Sequence, residues 1–450
     1  MSSINKPIAG MRDVFGIELR KRNHILSLLS LLVQRFGFEQ LEVPVIERAS
    51  SFDEKIVGRS PWPEWDKRGC FYLAVENYSG SYENQPSVDT ALLNPEGTIS
   101  VTRWLGKMLQ KMPKGSLPLK VFYDVQCFRN ELIDSLSEVK HRQFRQFGLE
   151  ILGTSSVAAD MEVACLMNQS LLLLGFPQEA VTIRICDVRI FRQLINDSGI
   201  NYDDSLRIKE LLDAIAESRA GKNPSVVSLL QRQLNEVLQK YDLSRQVHDK
   251  WNCILGTPCQ HLSAATRKLF GYKYHSAFDD LEMIIVALRD SGINAKADLC
   301  VVRSHEYYTG ISFEVDVVDE NAAFYEIAGG GRFDRLVSSF LTESDKDTIV
   351  PSTGFAFGVE RLIEAATAFG LMRNLQYTEM YTYLEVSSAD RLLVPSTSKN
   401  GCKGYRDAMQ EVLKSTSSER TNIYVGDDHS DESIYSYATA CGVRLIDRYT

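Results

Sequence analysis

The sequence predicts an α+β fold, in which an antiparallel sheet is flanked by helices and followed by a small α/β domain. Residues 120–127 and 144–152 are rich in β-branched and aromatic residues and are separated by a long polar stretch, which is typical of neighbouring antiparallel strands. Between about residues 200 and 275, apolar residues recur at helical spacing, which indicates a helical insertion. No Gly-x-Gly-x-x-Gly motif follows an opening strand, so a dinucleotide-binding parallel sheet is not expected.

The chain begins with a predicted helix and strand. Residues 15–36 carry leucine, isoleucine and valine at helical spacing, and Gly37 is suited to end this helix. Residues 41–46 then alternate as a strand that contains Pro44.

The remaining elements divide the chain into two predicted domains. Strand patterning returns at residues 314–331, and a helix is expected at 358–369, which completes a first domain of residues 1–375. Residues 376–450 are expected to form the small α/β domain. Its predicted elements alternate between strand and helix, at 391–394, 405–413, 421–425, 432–440 and 443–446.

Composition excludes some functional classes. The chain has 450 residues, a net charge of −9 and a pI near 5.5, so no generally basic, DNA-coating surface is expected. A local basic groove for RNA is compatible with this charge, because steering depends on the local field. The most apolar early run, residues 25–33, is too short to span a membrane, and no segment resembles a signal peptide. Nine scattered cysteines predict free thiols and a cytoplasmic protein.

One group of residues resembles a metal site only superficially. His248, Cys253, Cys259 and His261 lie close together in the chain, but the two cysteines are further apart than in the usual structural zinc motif. We therefore expect no metal there and interpret the cysteines as buried thiols of a helical segment.

Five short motifs carry the residues expected to do chemistry. They are CFRNE (127–131), RQFRQFGLE (142–150), RSHEYYTG (303–310), GGGRFD (329–334) and GFAFGVER (354–361). In this order the motifs resemble the ATP and amino-acid pocket of class II aminoacyl-tRNA synthetases, and most closely that of the histidyl-tRNA synthetase family. The resemblance runs from Gly10 to about Leu362. It implies a class II sheet, and a homodimer formed through residues of about 15–50.

The resemblance implies catalytic roles for Arg129 and Arg303 and an ATP-binding role for Arg361. Amino-acid activation joins two anions, a carboxylate and the α-phosphate of ATP, so the site must neutralise charge and align the attack. Arginine suits this task because its planar, permanently charged fork binds phosphate oxygens in pairs. By resemblance, Arg129 bridges the α-phosphate and the substrate carboxylate, Arg361 clamps the γ-phosphate, and Arg303 stabilises the reacting α-phosphate.

Further residues would bind ATP and the amino acid. ATP, accompanied by Mg²⁺, would also contact Glu131, Arg142 and Phe144, the last by stacking on adenine. The amino-acid binders implied by the resemblance are Glu96, Thr98, Gln146, Glu150, Tyr307 and Tyr308.

One face of the strand 144–150 has a chemistry of its own. Phe144, Gln146, Gly148 and Glu150 alternate, so they share one side of the strand. Glu150 is able to accept an imidazole N–H, Gln146 to bind an α-amino group, and Gly148 to leave room for a small ligand. The same pattern also fits the solvent side of a half-exposed sheet.

Several positions depart from the family pattern. Ser304-His305-Glu306 stands where the family usually has Gly-Leu-Asp, Asn94 replaces an arginine, and the loop at 132–139 is longer and carries acidic residues. The carboxyl-terminal domain is also shorter than a usual anticodon-binding domain.

Three functions therefore stay open. The first is histidine–tRNA ligase, with histidine, ATP and the acceptor end of tRNA as partners and no DNA or membrane. The second is a paralogue that activates an amino acid without standard tRNA charging. The third is a non-catalytic regulatory subunit of ATP phosphoribosyltransferase.

Overall fold

The structure is a computed structural model of the chain. It describes residues 7–58, 69–78, 86–113, 115–130, 141–256, 258–303, 305–319, 323–342, 345, 347–372, 387–395, 401–414, 419–423, 425–426, 428–440 and 445–449.

The α-helices of these residues are α1 (Ile17–Arg35), α2 (Glu54–Val57), α3 (Gly97–Met108), α4 (Val157–Leu173), α5 (Val188–Ser198), α6 (Tyr202–Ala220), α7 (Pro224–Leu238), α8 (Arg245–Ile254), α9 (Ala264–Phe270), α10 (His275–Asp290), α11 (Val359–Ala368), α12 (Gly401–Lys414) and α13 (Asp431–Ala440). The strands are β1 (Glu39–Gln40), β2 (Ile46–Arg48), β3 (Tyr72–Asn77), β4 (Ser87–Leu93), β5 (Leu119–Phe128), β6 (Gln143–Leu152), β7 (Val181–Asp187), β8 (Ala295–Ala297), β9 (Ile311–Val318), β10 (Phe324–Arg332), β11 (Ser352–Gly358), β12 (Ser387–Pro395), β13 (Glu419–Ile423) and β14 (Leu445–Tyr449).

The predicted fold class is confirmed by the central sheet. Its strand order is β1-β5-β6-β11-β10-β9-β7-β8, and the six strands from β5 to β7 pair antiparallel. The edge strands β1 and β8 pair parallel to their neighbours. These edges were not predicted, because strands of two and three residues are too short to show a periodic pattern.

The predicted strand at residues 41–46 is wrong. Strand β1 ends at Gln40 and β2 begins only at Ile46. Pro44 lies between them, and proline has no N–H to give to a sheet ladder. The preceding helix agrees with its prediction, because α1 covers residues 17–35 and buries the apolar face that the spacing indicated.

The two faces of the sheet pack against different hydrophobic cores. On one face, Phe147, Leu149 and Ile151 of β6 join the main core, which includes buried residues of α1, α4 and α10. The alternate residues of β6 face a second, smaller core that contains Tyr123 of β5, residues of α3, and both Tyr307 and Tyr308. Because successive side chains of a strand point to opposite faces, the predicted polar face of β6 lies against α3.

The helical insertion and the carboxyl-terminal elements follow the predicted order. Helices α6 to α9 occupy residues 202–270, and β13-β12-β14 form a separate parallel sheet. Helix α12 packs into the main core, and Lys120 Nζ of β5 donates to Ile423 O of β13 at 2.8 Å. The predicted boundary between residues 375 and 376 lies outside the described residues and stays a prediction. None of the helices that the structure describes combines the length and apolar character needed to cross a bilayer.

Candidate active site

Among the predicted amino-acid binders, Glu150 is the most deeply buried, with 1% of its area exposed. Its Oε1 accepts hydrogen bonds from Thr98 Oγ1 at 2.8 Å and from the Tyr123 hydroxyl at 3.3 Å. Its Oε2 is buried and has no hydrogen-bond partner among the described residues. Burial raises the pKa of Glu150 well above its usual value, because desolvation outweighs the two hydrogen bonds. One buried carboxyl oxygen is thus left to bind a polar ligand.

The glycine next to Glu150 in the sheet is required by this carboxyl group. Gly354 of β11 pairs with Glu150 of β6, and a Cβ atom at residue 354 would lie 1.6 Å from Glu150 Oε2. No side chain is tolerated at that distance, so Gly354 makes the space in which the carboxyl group lies.

Tyr123 occupies the space above Gly148. A Cβ atom on Gly148 would lie 2.3 Å from the Tyr123 hydroxyl oxygen, and one on Gly97 would lie 2.2 Å from the same ring. The prediction that Gly148 leaves room for a ligand is therefore wrong, because the tyrosine ring fills that room. Tyr123 joins the site instead as a donor to Glu150.

Glu96 caps a helix. Its carboxylate accepts the backbone N–H groups of Thr98 at 2.8 Å and Ile99 at 3.1 Å, at the start of α3. Asn94 Oδ1 accepts the backbone N–H of Glu96, and Asn94 Nδ2 donates to Ser100. Burial raises the pKa of Glu96 despite these bonds and the nearby charge of Arg129. Asn94, which stands where the family usually has an arginine, therefore stabilises the loop that holds Glu96.

Gln146 uses its carbonyl oxygen within the protein. Oε1 accepts the backbone N–H of Gly97 at 2.9 Å and the thiol of Cys127 at 3.4 Å. This arrangement leaves the amide N–H groups of Gln146 for a ligand, and an N–H donor suits a carboxylate better than an ammonium group.

Arg129 and Phe144 stack on each other where β5 ends and β6 begins. The Arg129 guanidinium carbon is 5.0 Å from the centre of the Phe144 ring, and Arg129 Nε donates to Pro95 O at 3.2 Å. The backbone N–H of Arg129 donates to Arg142 O, while the Arg142 side chain reaches Ala9 O. Glu131, the predicted ATP-binding neighbour, lies outside the described residues.

Arg303 has an unusual backbone and an acidic setting. Its φ of 54° lies in the left-handed region, which costs about 1–3 kcal/mol for a residue other than glycine. Its Nη1 contacts Glu314 at 3.0 Å and Glu326 at 3.5 Å, while its Nε is buried without a hydrogen-bond partner in the described chain. Its guanidinium lies against Gly329, where a Cβ atom would be 2.5 Å away. Gly329 is therefore needed for the approach of this side chain.

Glu326 links Arg303 to Arg361. Arg361 is the third residue of α11, is exposed, and donates through Nη1 to Glu326 O at 3.3 Å. Burial and the charge of Glu314 raise the pKa of Glu326 to about 7, against the attraction of both arginines. Arg303 thus contacts the carboxyl group of Glu326, and Arg361 contacts the backbone carbonyl of the same residue.

The two tyrosines expected to cover the amino acid interact electrostatically with Glu96 and Glu150. Tyr307 and Tyr308 are buried, with ring centres 4.7 Å apart. The charges of Glu96 and Glu150 contribute to the raised pKa of both hydroxyls, which for Tyr308 reaches about 12, with burial as the main cause. The ring of His305 lies 5.3 Å from that of Tyr307. Ser304 lies outside the described residues.

Sequence reasoning missed four members of the site. These are Tyr123, Glu314, Glu326 and Gly354. Glu314 pairs with Gly329, the glycine that Arg303 covers, but Glu326 shares this face only because the strand register shifts between Glu326 and Ala328, which alternation could not have indicated. In contrast, the arginine of the GGGRFD motif is structural, because Arg332 binds Asp160 and two backbone carbonyls near the start of α4.

The cysteine and histidine group of the insertion is engaged in local contacts. Cys253 Sγ donates to Thr266 at 3.9 Å, and Arg289 donates to His261 Nε2 at 2.7 Å. Among the residues that the structure describes, no group of three or more histidine, cysteine or acidic side chains is arranged to hold a metal.

The sequence is similar to histidyl-tRNA synthetases over most of its length. The profile of the family described as histidyl-tRNA synthetase matches residues 85–362. A histidine–tRNA ligase of Sulfolobus acidocaldarius is 30% identical over 356 residues, which cover 79% of this chain and 73% of that protein.

Two solved structures share the fold. A histidine–tRNA ligase subunit from Alicyclobacillus acidocaldarius has a TM-score of 0.60 at 23% identity, covering 81% of this chain and 98% of that one. A structure from Bacillus halodurans, described as an ATP phosphoribosyltransferase regulatory subunit/histidyl-tRNA synthetase, has a TM-score of 0.61 at 18% identity and covers 99% and 98%.

Proposed function

Because this chain belongs to the histidyl-tRNA synthetase family, we propose that it activates histidine with ATP and transfers the histidyl group to tRNA. The observation that supports this most is the buried Glu150 Oε2, which has no partner in the described chain and is next to the tyrosine lid. A buried polar atom without a partner costs stability, and a substrate N–H would relieve that cost.

The proposed first step is an in-line attack on ATP. A carboxylate oxygen of histidine forms a bond to the α-phosphorus, the bond to the β-phosphate breaks, and pyrophosphate leaves with the electron pair. Arg303 has N–H groups beyond the Nη1 contacts to Glu314 and Glu326, and it would offer them to the α-phosphate. Arg129, held by Pro95 and Phe144, would orient the carboxylate.

Magnesium would accompany ATP in this proposal. Mg²⁺ in such sites is usually held by phosphates and only one or two carboxylates. Glu326, which lies beside Arg303, would be the carboxylate to hold the ion, because the two carboxyl oxygens of Glu314 already pair with Arg303 and Arg184. The ion would supply neutralisation of phosphate charge.

Histidine would be recognised at the other end of the site. Glu150 Oε2 would pair with one imidazole nitrogen and Tyr308 with the other, while Glu96 would bind the α-amino group. Each carboxylate oxygen of Glu96 accepts one N–H of α3, which leaves each oxygen a further lone pair for a donor.

In the second step, a terminal hydroxyl of tRNA would attack the histidyl carbonyl and release AMP. We place this reaction in the cytoplasm. The seven cysteines whose side chains the structure describes are unpaired, as expected in a reducing compartment.

Amino-acid-dependent exchange of pyrophosphate into ATP tests the activation step. We expect histidine to support exchange at least tenfold better than any of the other nineteen amino acids, because a site built around hydrogen bonds rejects analogues that leave its polar groups unpaired. Charging of tRNA with the same preparation tests the transfer step.

The outcomes separate the candidate functions. Exchange with histidine but no charging of tRNA would favour a paralogue that activates histidine for another acceptor. Preference for another amino acid would contradict the histidine assignment alone. Absence of exchange with all twenty amino acids, together with binding of a phosphoribosyltransferase, would favour the regulatory function.

We further propose that two copies of the chain associate through residues of about 15–50. Apolar side chains in this region are exposed: Phe15 exposes 90% of its area, and Ile17, Val45 and Ile46 each expose more than two fifths. Association of two copies would remove these apolar side chains from water. We expect the mass in solution at micromolar concentration to be that of a dimer, and Phe15→Asp to shift it towards a monomer. A monomeric parent protein would contradict the proposal.

A further inference from the structure

The segment that carries Arg303 has no regular secondary structure of its own. Between β8 and β9, the described residues from 298 to 310 form neither helix nor strand. Nevertheless this segment must hold Arg303 at a φ of 54° and place its guanidinium against Gly329. A strained residue persists only where the surrounding structure determines its conformation. The support must therefore come from a neighbouring element.

Helix α6 of the insertion runs antiparallel along this segment. At its carboxyl end, Arg219 Nη1 lies 3.3 Å from Asp298 Oδ1. Further back along the helix, Lys209 Nζ donates to His305 O at 3.3 Å, and at the amino end the Tyr202 hydroxyl donates to Glu306 Oε2 at 2.5 Å. The helix thus contacts the segment on both sides of Arg303.

The residues of α6 nearest to the site share one face of the helix. Tyr202, Lys209 and Asp213 are spaced by seven and four residues, which brings them to nearly the same angle around the axis. Lys209 is buried. Asp213 Oδ1 is buried without a hydrogen-bond partner in the described chain, and its charge interacts with those of Arg303 and Lys209.

The surroundings of Asp213 and Lys209 are electrostatically strained. Burial and the nearby charges of Glu314 and Glu326 raise the pKa of Asp213 to about 8. Burial lowers the pKa of Lys209 to about 8, an effect that the charge of Glu306 opposes. Burying an ionisable group costs free energy unless the group is paired, so the contacts of Lys209 must offset that cost.

We propose that α6 is a splint for the segment 298–310, which it holds in one conformation, and that Lys209 is a positioning residue for Arg303, Tyr307 and Tyr308. Lys209 anchors the backbone two residues after Arg303 through His305 O. Tyr202 and Arg219 hold the same segment at Glu306 and Asp298. The catalytic part of this inference rests on the proposed activation of an amino acid. The insertion would therefore take part in the chemistry without touching the substrate.

A substitution of Lys209 on α6 tests the splint. We expect Lys209→Met to lower kcat of pyrophosphate exchange ~10- to 100-fold, as small misplacements of a catalytic group do, with KM for ATP within about twofold of the parent. Lys209→Arg retains a donor and should recover most of kcat. Glu210→Gln is the matched control, because Glu210 pairs with Arg207 on the exposed side of the same helix, and it should leave kcat unchanged.

Hydrogen–deuterium exchange gives a readout that does not depend on activity. Lys209→Met should raise the exchange of residues 298–310 while leaving that of α10 unchanged, and Glu210→Gln should raise neither. If the parent protein activates no amino acid, the proposed function fails, whereas selective loss of protection still supports the splint. Unchanged protection in Lys209→Met, or a kcat of that variant within twofold of the parent, would overturn it. Should Lys209→Met not fold, Tyr202→Phe removes one splint contact more gently and is measured in the same way.

Discussion

Arg303→Ala should lower the maximal rate of histidine-dependent pyrophosphate exchange by roughly 100- to 1000-fold. A preorganised donor aimed at charge that develops in the transition state is typically worth about 2.7–4 kcal/mol. Arg303 matches this description, because Glu314, Glu326 and Gly329 hold its guanidinium in place before any substrate binds. Since its charge would act mainly as the α-phosphate reacts, KM for ATP should change little.

Two further variants make the Arg303 experiment specific. Arg303→Lys keeps the charge but loses the planar fork, so it should recover only a small part of the rate. Arg207→Ala removes an exposed arginine that pairs with Glu210, and it should behave as the parent protein. An Arg303→Ala protein that exchanges within twofold of the parent would show that this arginine has no catalytic role.

The second large effect is expected at Glu150. Glu150→Gln keeps an acceptor for Thr98 and Tyr123 but replaces the unpartnered oxygen by an amide group that only donates. A buried imidazole N–H left without its acceptor costs about 1–3 kcal/mol, so kcat/KM for histidine should fall roughly 5- to 150-fold. ATP affinity should stay nearly intact, because Glu150 is proposed to contact only the amino acid.

Gly354→Ala tests the same carboxyl group from the neighbouring strand. The added methyl group would lie 1.6 Å from Glu150 Oε2 and 2.4 Å from Leu149 O, so the carboxyl group or the strand must move. We expect a loss of histidine activation at least as large as that of Glu150→Gln, and a lower melting temperature because part of the strain falls on the sheet. Normal histidine kinetics in both variants would remove Glu150 from the recognition of the substrate.

Strand β6 shows what the alternation of residues along one strand can predict. Its alternation correctly separated Phe147 and Leu149, which enter the core, from Gln146 and Glu150, which face the site. Alternation is a property of every extended strand, so it needs no knowledge of the partner strands. For the same reason the pattern could not show what lies above Gly148, and the ring of Tyr123 was missed.

The contacts of Arg303 could not be predicted from local sequence patterns. Glu314 and Glu326 reach it from β9 and β10, and Lys209 and Asp213 approach its segment from a helix about ninety residues earlier in the chain. The helical spacing predicted that α6 exists but did not indicate what its buried polar face contacts. Packing between elements distant in sequence is not encoded in the periodicity of either element.

The sequence by itself determined the fold class, the family and the order of the motifs, because these depend on residue spacing and on residue identities within short segments. The tertiary structure alone decided that Glu96 caps α3, that Gln146 uses its oxygen internally, and that Glu150 retains an unpartnered oxygen beside Gly354. Those properties depend on which donors and acceptors are already satisfied by neighbours, and satisfaction of a buried polar group is settled only when the chain has packed.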